Sequence, residues 1–299
     1  MTASASPTPR QGAPGGGAPA IQWYPGHIAK AEKALTASLE KVDLVIEVRD
    51  ARIPLATAHP RLQRWIQAKQ HLLVVNRRDM VSEASRKAWD RWFRERDQTP
   101  WWCDARSGTG VSQLQQAAIR SGEALNARRL GRGMRPRPVR ALMLGFPNVG
   151  KSALINRLVR KKVVESARKA GVTRSLRWVR LGLDIDLLDA PGVLPPRLDD
   201  QQAALRLALC DDIGQAAYDT EAVALAFLRL LIQLEPNPAA GVAPGLLEGR
   251  YGVAASPAVE DWLSAAAARH TSGDTLRMGQ RLLDDFRRSL LGPISLELP

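Results

Sequence analysis

The chain has 299 residues, of which 45% are hydrophobic, and a net charge of +13. That length supports a sizeable core and two domains of ordinary size. Its longest apolar stretch, VALAFLRLLIQL (223–234), is broken by Arg229 and falls short of the ~20 residues a bilayer span needs. Cys103 and Cys210 lie far apart with no CxxC spacing, which argues against a disulfide framework or a zinc site and for a reducing cytoplasm.

Residues 1–20 are rich in Pro, Gly, Ala and Ser, with no apolar run of the kind a secretory signal needs, and read as a disordered tail. From Ile28 to Val42 apolar residues recur at helical spacing, predicting an amphipathic helix over 27–42. A strand over 43–51 follows, then a helix near 60–69 and the strand HLLVVN. A helix over 82–97 carries Trp89, Trp92 and Phe93; PWWCDA (100–105) reads as a strand and VSQLQQAAIRSGEAL as a helix. After a Gly/Pro/Arg-rich linker near 131–138, ALMLG (141–145) is a short buried strand. Alternating strands and helices imply an α/β fold with a mostly parallel sheet, its helices on both faces. Beyond Arg197 the pattern is helical, interrupted by LEPNPAAGVAPG. In the last helix Leu276, Leu283, Phe286 and Leu290 are expected to share one side. Arg277, Arg281 and Arg288 fall within about 40° of one another on the other side. The domains expected are a tail (1–20), an α/β domain (21–197) and a smaller all-α domain (198–299).

Charge is unevenly spread. Residues 1–196 hold 34 basic against 16 acidic residues, and the remainder 9 against 14. The stretches 126–140 and 157–180 concentrate the positive charge. A basic run is most often a solvated surface, but this density in one half favours a polyanion, RNA above all.

GFPNVGKS (145–152) fits G-x-x-x-x-G-K-[ST], directly after an apolar strand and before the helical pattern ALINRLV. Backbone N–H groups of such a loop, here from Asn148, Val149 and Gly150 onward, wrap phosphates. Lys151 would reach the outer phosphates and Ser152 a Mg²⁺ ion. In LLDAPG, Asp189 ends an apolar strand where a carboxylate can hold a Mg²⁺-bound water, and the Gly192 N–H can face the terminal phosphate; Thr173 lies between as a switch hydroxyl. VVNRRD (74–79) resembles the guanine-reading Asn-Lys-x-Asp with Arg77 in place of Lys. Asp79 would accept the guanine ring N–H and exocyclic amine, Asn76 would brace the loop, and Arg77 would lay its stem over the base, its guanidinium plane also free to stack. In DARSGTG, the Ala105 N–H would contact the guanine oxygen. Base-reading loops thus precede phosphate loops, the reverse of the usual order, and a circular permutation explains this because the loops all sit at strand ends.

WYPGHIAKA (23–31), DLVIEVRDARIP (43–54), NRRD, GFPNVGKSALINRL and DAPGVLPP (189–196) together resemble the circularly permuted ribosome biogenesis GTPase A family, the YlqF/RbgA type. The resemblance covers residues 21–200 closely and the helical part in outline. It implies a GTPase, using GTP/GDP and Mg²⁺, that matures the large ribosomal subunit through rRNA contact, as a cytoplasmic monomer off the particle. Asp104 stands where the family usually has Ser. The Gln that orients water just after the D-x-x-G motif in Ras-like enzymes is here Val193. The resemblance points to His27 as its substitute, against a helix-capping role. It also gives Asn148 a K⁺-holding role, against simple loop stabilisation. A guanine-nucleotide-binding RNA scaffold with little turnover and a small-subunit GTPase are the rival readings.

Overall fold

The computed structural model describes residues 21, 35–66, 69–159, 177–190, 192 and 200–299. Six strands form one sheet in the order β3-β2-β1-β4-β6-β5. They are β1 (Leu44–Asp50), β2 (Gln70–Asn76), β3 (Pro100–Trp102), β4 (Val139–Gly145), β5 (Arg177–Leu181) and β6 (Ile185–Asp189). The five strands other than β5 run parallel. β5 pairs antiparallel with β6 at the edge and went unforeseen in the sequence. Its alternation is visible in hindsight, with Val179 and Leu181 buried between exposed Arg and Trp positions.

The central strand β1, LVIEVRD, is buried along its whole length, as expected of a strand covered on both faces. Its side chains alternate. Val45 joins Leu142, Leu144 and Leu188 under helix α1 (described over 35–39) and α2 (Leu62–Ile66). Leu44, Ile46 and Val48 join Ala141 and Met143 on the opposite face, with α4 (Val111–Leu130) and α5 (Lys151–Val159). Glu47 and Arg49 also lie on the α1 face. They are buried as a forked ion pair, Arg49 Nε to Glu47 Oε1 at 2.6 Å, with His71 Nε2 3.1 Å from Oε2. Beside them Leu73 and Val75 pack on Trp89 and Phe93 of α3 (Glu83–Arg94), which Ser82 caps by accepting the Ser85 N–H.

Helix α4 runs five residues beyond the sequence expectation. The stretch after it is pinned rather than free, because Arg137 reaches Asp43 with two hydrogen bonds and exchanges two more with Asn126. β3 ends at Trp102, and Trp101 and Trp102 are both half-buried.

The helical part contains α6 (Gln201–Leu209), α7 (Thr220–Leu234), α8 (Leu246–Tyr251), α9 (Val259–His270) and α10 (Thr275–Arg287). Asp200, Asp219 and Asp274 cap α6, α7 and α10. The apolar run at 223–234 is α7, with Val223, Phe227, Leu228 and Leu231 inside the protein. The expected α10 stripe is only half right. Leu283 and Phe286 are buried, but Leu276 and Leu290 are exposed, and Met278 and Leu282 take the inward positions. The buried face runs through Met278, Gly279, Leu282, Leu283 and Phe286, where Gly279 meets Ala224 of α7, and the helix ends at Arg287, before Leu290. Arg277, Arg281 and Arg288 are exposed, as expected.

The helical part shares a continuous core with the sheet. The segment Ser295–Glu297 crosses back to the first strand's loop. Leu296 N–H donates to the Arg52 carbonyl, and Glu297 accepts the N–H groups of Leu55 and Ala56. The Trp89 indole donates to the Glu297 carbonyl. Among the described residues no helix is long and apolar enough to cross a membrane.

Candidate nucleotide site

All the candidate site residues that the structure describes stand at the C-terminal ends of the parallel strands. Asp50 pairs in register with Asn76, Val48 with Gly145, and Met143 with Asp189, so β1 and β2 end level while β4 and then β6 end in steps of two residues. After β1, the chain moves outward through β2 and β3, then returns to the other side of β1 for β4. The direction of winding thus reverses beside β1, where open α/β sheets gather ligands. The candidate base-reading loops lie on the β2–β3 side and the candidate phosphate loops on the β4–β6 side.

The phosphate loop is shaped by close approach. A Cβ on Gly145 would lie 2.4 Å from the Val48 carbonyl oxygen, and one on Gly150, whose φ is +95°, would lie 2.3 Å from Asn76 Nδ2. Lys151 Nζ donates to the carbonyls of Gly145 and Phe146 at 3.0 and 2.6 Å, closing the loop. Burial pulls the Lys151 ammonium down to about 8, against the opposing charges of Asp189 and Asp212. Ser152 is half-buried at the start of α5. The Val149 N–H donates to the Pro147 carbonyl at 2.8 Å within the loop. A Cβ on Gly192 would meet Pro147 at 2.6 Å, so the segment after β6 lies directly on the loop. Asp189 is 1% exposed, and its Oδ1 has no hydrogen-bond partner among the described residues. A buried carboxylate oxygen left in this way beside the loop suits a Mg²⁺ ion bound through water. Thr173 and His27 lie outside the described residues.

The base-reading loops are braced as expected. Asn76, 2% exposed, donates from Nδ2 to the Val149 carbonyl and accepts the Ala105 N–H on Oδ1. One amide thereby ties the phosphate loop to both base loops. Arg77 sits in the left-handed region at φ +63°. Its guanidinium goes to the Asn148 carbonyl at 2.5 Å and lies 3.5 Å from Asp50, so the head group is held by protein rather than free to stack. Asp79 stands on an exposed turn, where partial desolvation and then the Asp104 charge raise its carboxyl above its ordinary value. Asp104 does not face a base as a bare anion. Its two oxygens accept the N–H groups of Arg106 and Ser107, and although burial opposes it, these bonds hold the carboxyl below its ordinary value.

Sequence reasoning missed the buried charges behind the site. Arg52 grips Asp50 through two bonds, at 3.0 and 2.7 Å, with both side chains fully buried. It also donates to the Cys210 carbonyl, while Asn148 Nδ2 donates to the carbonyl of Asp211. The helical part therefore touches the phosphate loop itself. Asp212 is fully buried, and among the described residues neither carboxylate oxygen has a hydrogen-bond partner. Burial first, then the Asp50 charge, pushes its carboxyl well up, against the pull of Arg77 and Arg52. It therefore holds its proton more tightly folded than unfolded, and the stability this gives is lost as pH rises through the raised value. Asp212→Asn is expected to raise the thermal midpoint by a few degrees at pH 8. The gap should close as pH falls towards the ordinary carboxyl value. A lower midpoint for the variant at pH 8 would show that Arg52 and Arg77 hold the ionised form.

A parallel sheet with a G-x-x-x-x-G-K-S loop, an Asn-x-x-Asp turn and a reversed motif order defines a circularly permuted P-loop GTPase. A family model described as 50S ribosome-binding GTPase matches residues 140–227. The ribosome biogenesis GTPase A of Bacillus pumilus is 32% identical over 288 residues, covering 93% of this chain and 99% of that protein. That of Bacillus cereus is 37% identical over 217 residues, 73% of each chain. GNP-bound YlqF from T. maritima shares the fold, with a TM-score of 0.58 at 21% identity over 90% of this chain and 98% of that one. The chain belongs to the ribosome biogenesis GTPase A family.

Proposed function

We propose that this GTPase assembles the large ribosomal subunit, binding the subunit precursor and its rRNA while GTP is bound and leaving after hydrolysis. The matching family model, described as 50S ribosome-binding, supports the large-subunit reading, and the concentration of positive charge in residues 1–196 supports contact with rRNA. We place most of the rRNA contact on that half, with Arg277, Arg281 and Arg288 as a secondary patch. The proposed division is a nucleotide domain over 21–197 and a helical domain over 198–299, in a cytoplasmic protein that is monomeric off the particle.

Asp79 and the Ala105 N–H read guanine, Asn76 and Arg77 hold the loop, and Asn148, Gly150 and Lys151 line the phosphates. Mg²⁺, held by Ser152, Thr173 and Asp189, supplies positive charge to the phosphates when bound. Lys151 meets the charge that develops on the outer phosphates, and the Gly192 N–H faces the terminal one. Val193 has no polar group to orient water, so His27 takes that role; a positioned group of this kind is worth about 10²–10⁴ in rate. Asn148 supplies the K⁺ ligand.

The test is GTP hydrolysis by wild type and His27→Ala in K⁺ and in Na⁺ buffer, alone and with large or small subunits. Large subunits alone should stimulate the wild type, Na⁺ should slow it, and His27→Ala should lose the stimulated rate with nucleotide affinity intact. Stimulation by small subunits alone would redirect the reading to that particle. No stimulation by either would favour an RNA-binding scaffold.

A further inference from the structure

The chain's positive charge is not spread evenly even within its basic half. A groove of about 760 Å³ opens beside the edge of the sheet, lined by Arg78, Arg86, Lys87, Arg91, Arg94 and Trp102. Its cations come from two elements: Arg78 from the guanine-specificity turn and four from α3. On α3 they fall in two rows, Arg86 with Arg94 and Lys87 with Arg91, repeating at one- and two-turn intervals of about 5.4 Å each. Trp102, at the end of edge strand β3, forms a wall, and its Nε1–H donates to Asp90 Oδ1 at 3.3 Å.

The acids in the groove do not neutralise it. Asp90 is committed to Trp102 and to Arg94 Nε at 2.7 Å, and Lys87 pairs with Glu83. Glu95 lies 3.8 Å from Arg96. Among the described residues, Arg78, Arg86 and Arg91 make no ion pair. Five cations thus face two acids, Asp90 and Glu95, in one concavity, which leaves it net positive. A scattered solvated face does not bring a tethered indole and cations from separate elements to the same wall.

We infer that this groove is the seat of an RNA strand, with α3 and Arg78 on the phosphates and the Trp102 ring available to a base. Guanidinium groups bind phosphate oxygens through two parallel bonds, and an aromatic face stacks any base, a contact worth about 1–3 kcal/mol. An acidic protein segment is the alternative that the test below separates. Arg78 sits between Arg77, which holds the phosphate loop, and Asp79, which reads guanine. An RNA strand seated here therefore presses on the turn that reads the nucleotide. The inference rests on the proposed rRNA contact and names the surface that makes it.

The test titrates a fluorescein-labelled RNA hairpin carrying a single-stranded overhang with the full chain over a range of salt. The proteins compared are wild type, Arg86→Ala/Arg91→Ala, and a control pair that loses equal charge at α2, outside the two most basic stretches, Arg61→Ala/Arg64→Ala. Two lost phosphate contacts should lower the slope of log affinity against log salt by about 2. The control should change it far less, and GTP affinity should be unaltered in all three. A wild-type slope retained by Arg86→Ala/Arg91→Ala overturns the groove while leaving rRNA binding in place. An equal drop in the control overturns it in favour of diffuse attraction. Absence of RNA binding by the wild type defeats the rRNA reading itself. Normal RNA binding by Arg86→Ala/Arg91→Ala with loss of cosedimentation with large subunits makes the groove a protein-docking surface and overturns its assignment to RNA.

Discussion

Asp79→Asn should weaken GTP binding about 10²–10⁴-fold, because two hydrogen bonds to a charged acceptor are worth about 1.5–3 kcal/mol each and 1.4 kcal/mol is a factor of ten. The carboxylate offers two acceptors to the guanine ring N–H and exocyclic amine. An Asn offers one acceptor and an NH₂ that opposes the amine. The same NH₂ suits xanthine, which carries a carbonyl where guanine has its amine, so the variant should recover affinity for xanthosine triphosphate. Nothing else in the turn need move, since Asp79 stands on an exposed loop whose brace is Asn76, held to Val149 and Ala105. Displacement of a fluorescent guanine nucleotide by GTP and by xanthosine triphosphate measures both effects. If GTP affinity is unchanged and xanthosine triphosphate gains nothing, Asp79 does not read the base.

Arg52→Met should destabilise the fold by about 3–5 kcal/mol, the usual result of removing one partner of a buried ion pair. Asp50 would then be left fully buried, with Arg77 at 3.5 Å as its remaining cation. Two further contacts disappear, the bond to the Cys210 carbonyl and the position over the Phe286 ring at 5.3 Å. Arg52 Nη1 is buried with no hydrogen-bond partner among the described residues, so part of the guanidinium is already held at a penalty, which favours the lower end of the range. At about 2–4 °C per kcal/mol for a protein of this size, the thermal midpoint should drop by roughly 6–12 °C. Asp50→Asn/Arg52→Met should recover much of the loss, because no buried charge is then orphaned. A midpoint equal to wild type for the single variant would show that the pair contributes nothing to stability.

The two predictions differ in how visible their residues are in the sequence. Asp79 is legible as a candidate because base reading needs a carboxylate at a fixed offset from a bracing Asn, and that offset is short. The phosphate loop is legible for the same reason: its glycines, Lys and Ser lie within eight consecutive residues between a strand and a helix. Arg52 lies within a recognisable stretch, yet its partners at 210 and 286 are contacts across more than 150 residues, which local pattern does not encode. Arg77 shows an intermediate case. Its position was readable, but the destination of its guanidinium depended on where the Asn148 carbonyl would point. The expected α10 stripe includes Leu276 and Leu290, but the inward face is the one carrying Met278 and Leu282, and Leu290 lies beyond the helix end at Arg287. β5 was hidden inside a run read for its charge, though its period-two burial was present in the residues.

The return of Glu297 to Leu55 and Ala56 has a consequence for the protein's own birth. The two N–H groups and their acceptor are separated by 242 and 241 residues. At about 5–20 residues per second, a ribosome takes roughly 10–50 s to make the intervening chain. During that interval the loop after β1 lacks the carboxylate that satisfies it and Trp89 lacks its acceptor. The sheet can assemble early, but the loop after its central strand closes only once residues 295–297 have cleared the exit tunnel. A factor devoted to finishing ribosomes thus depends on a finished one for nearly its whole length before its own fold can close.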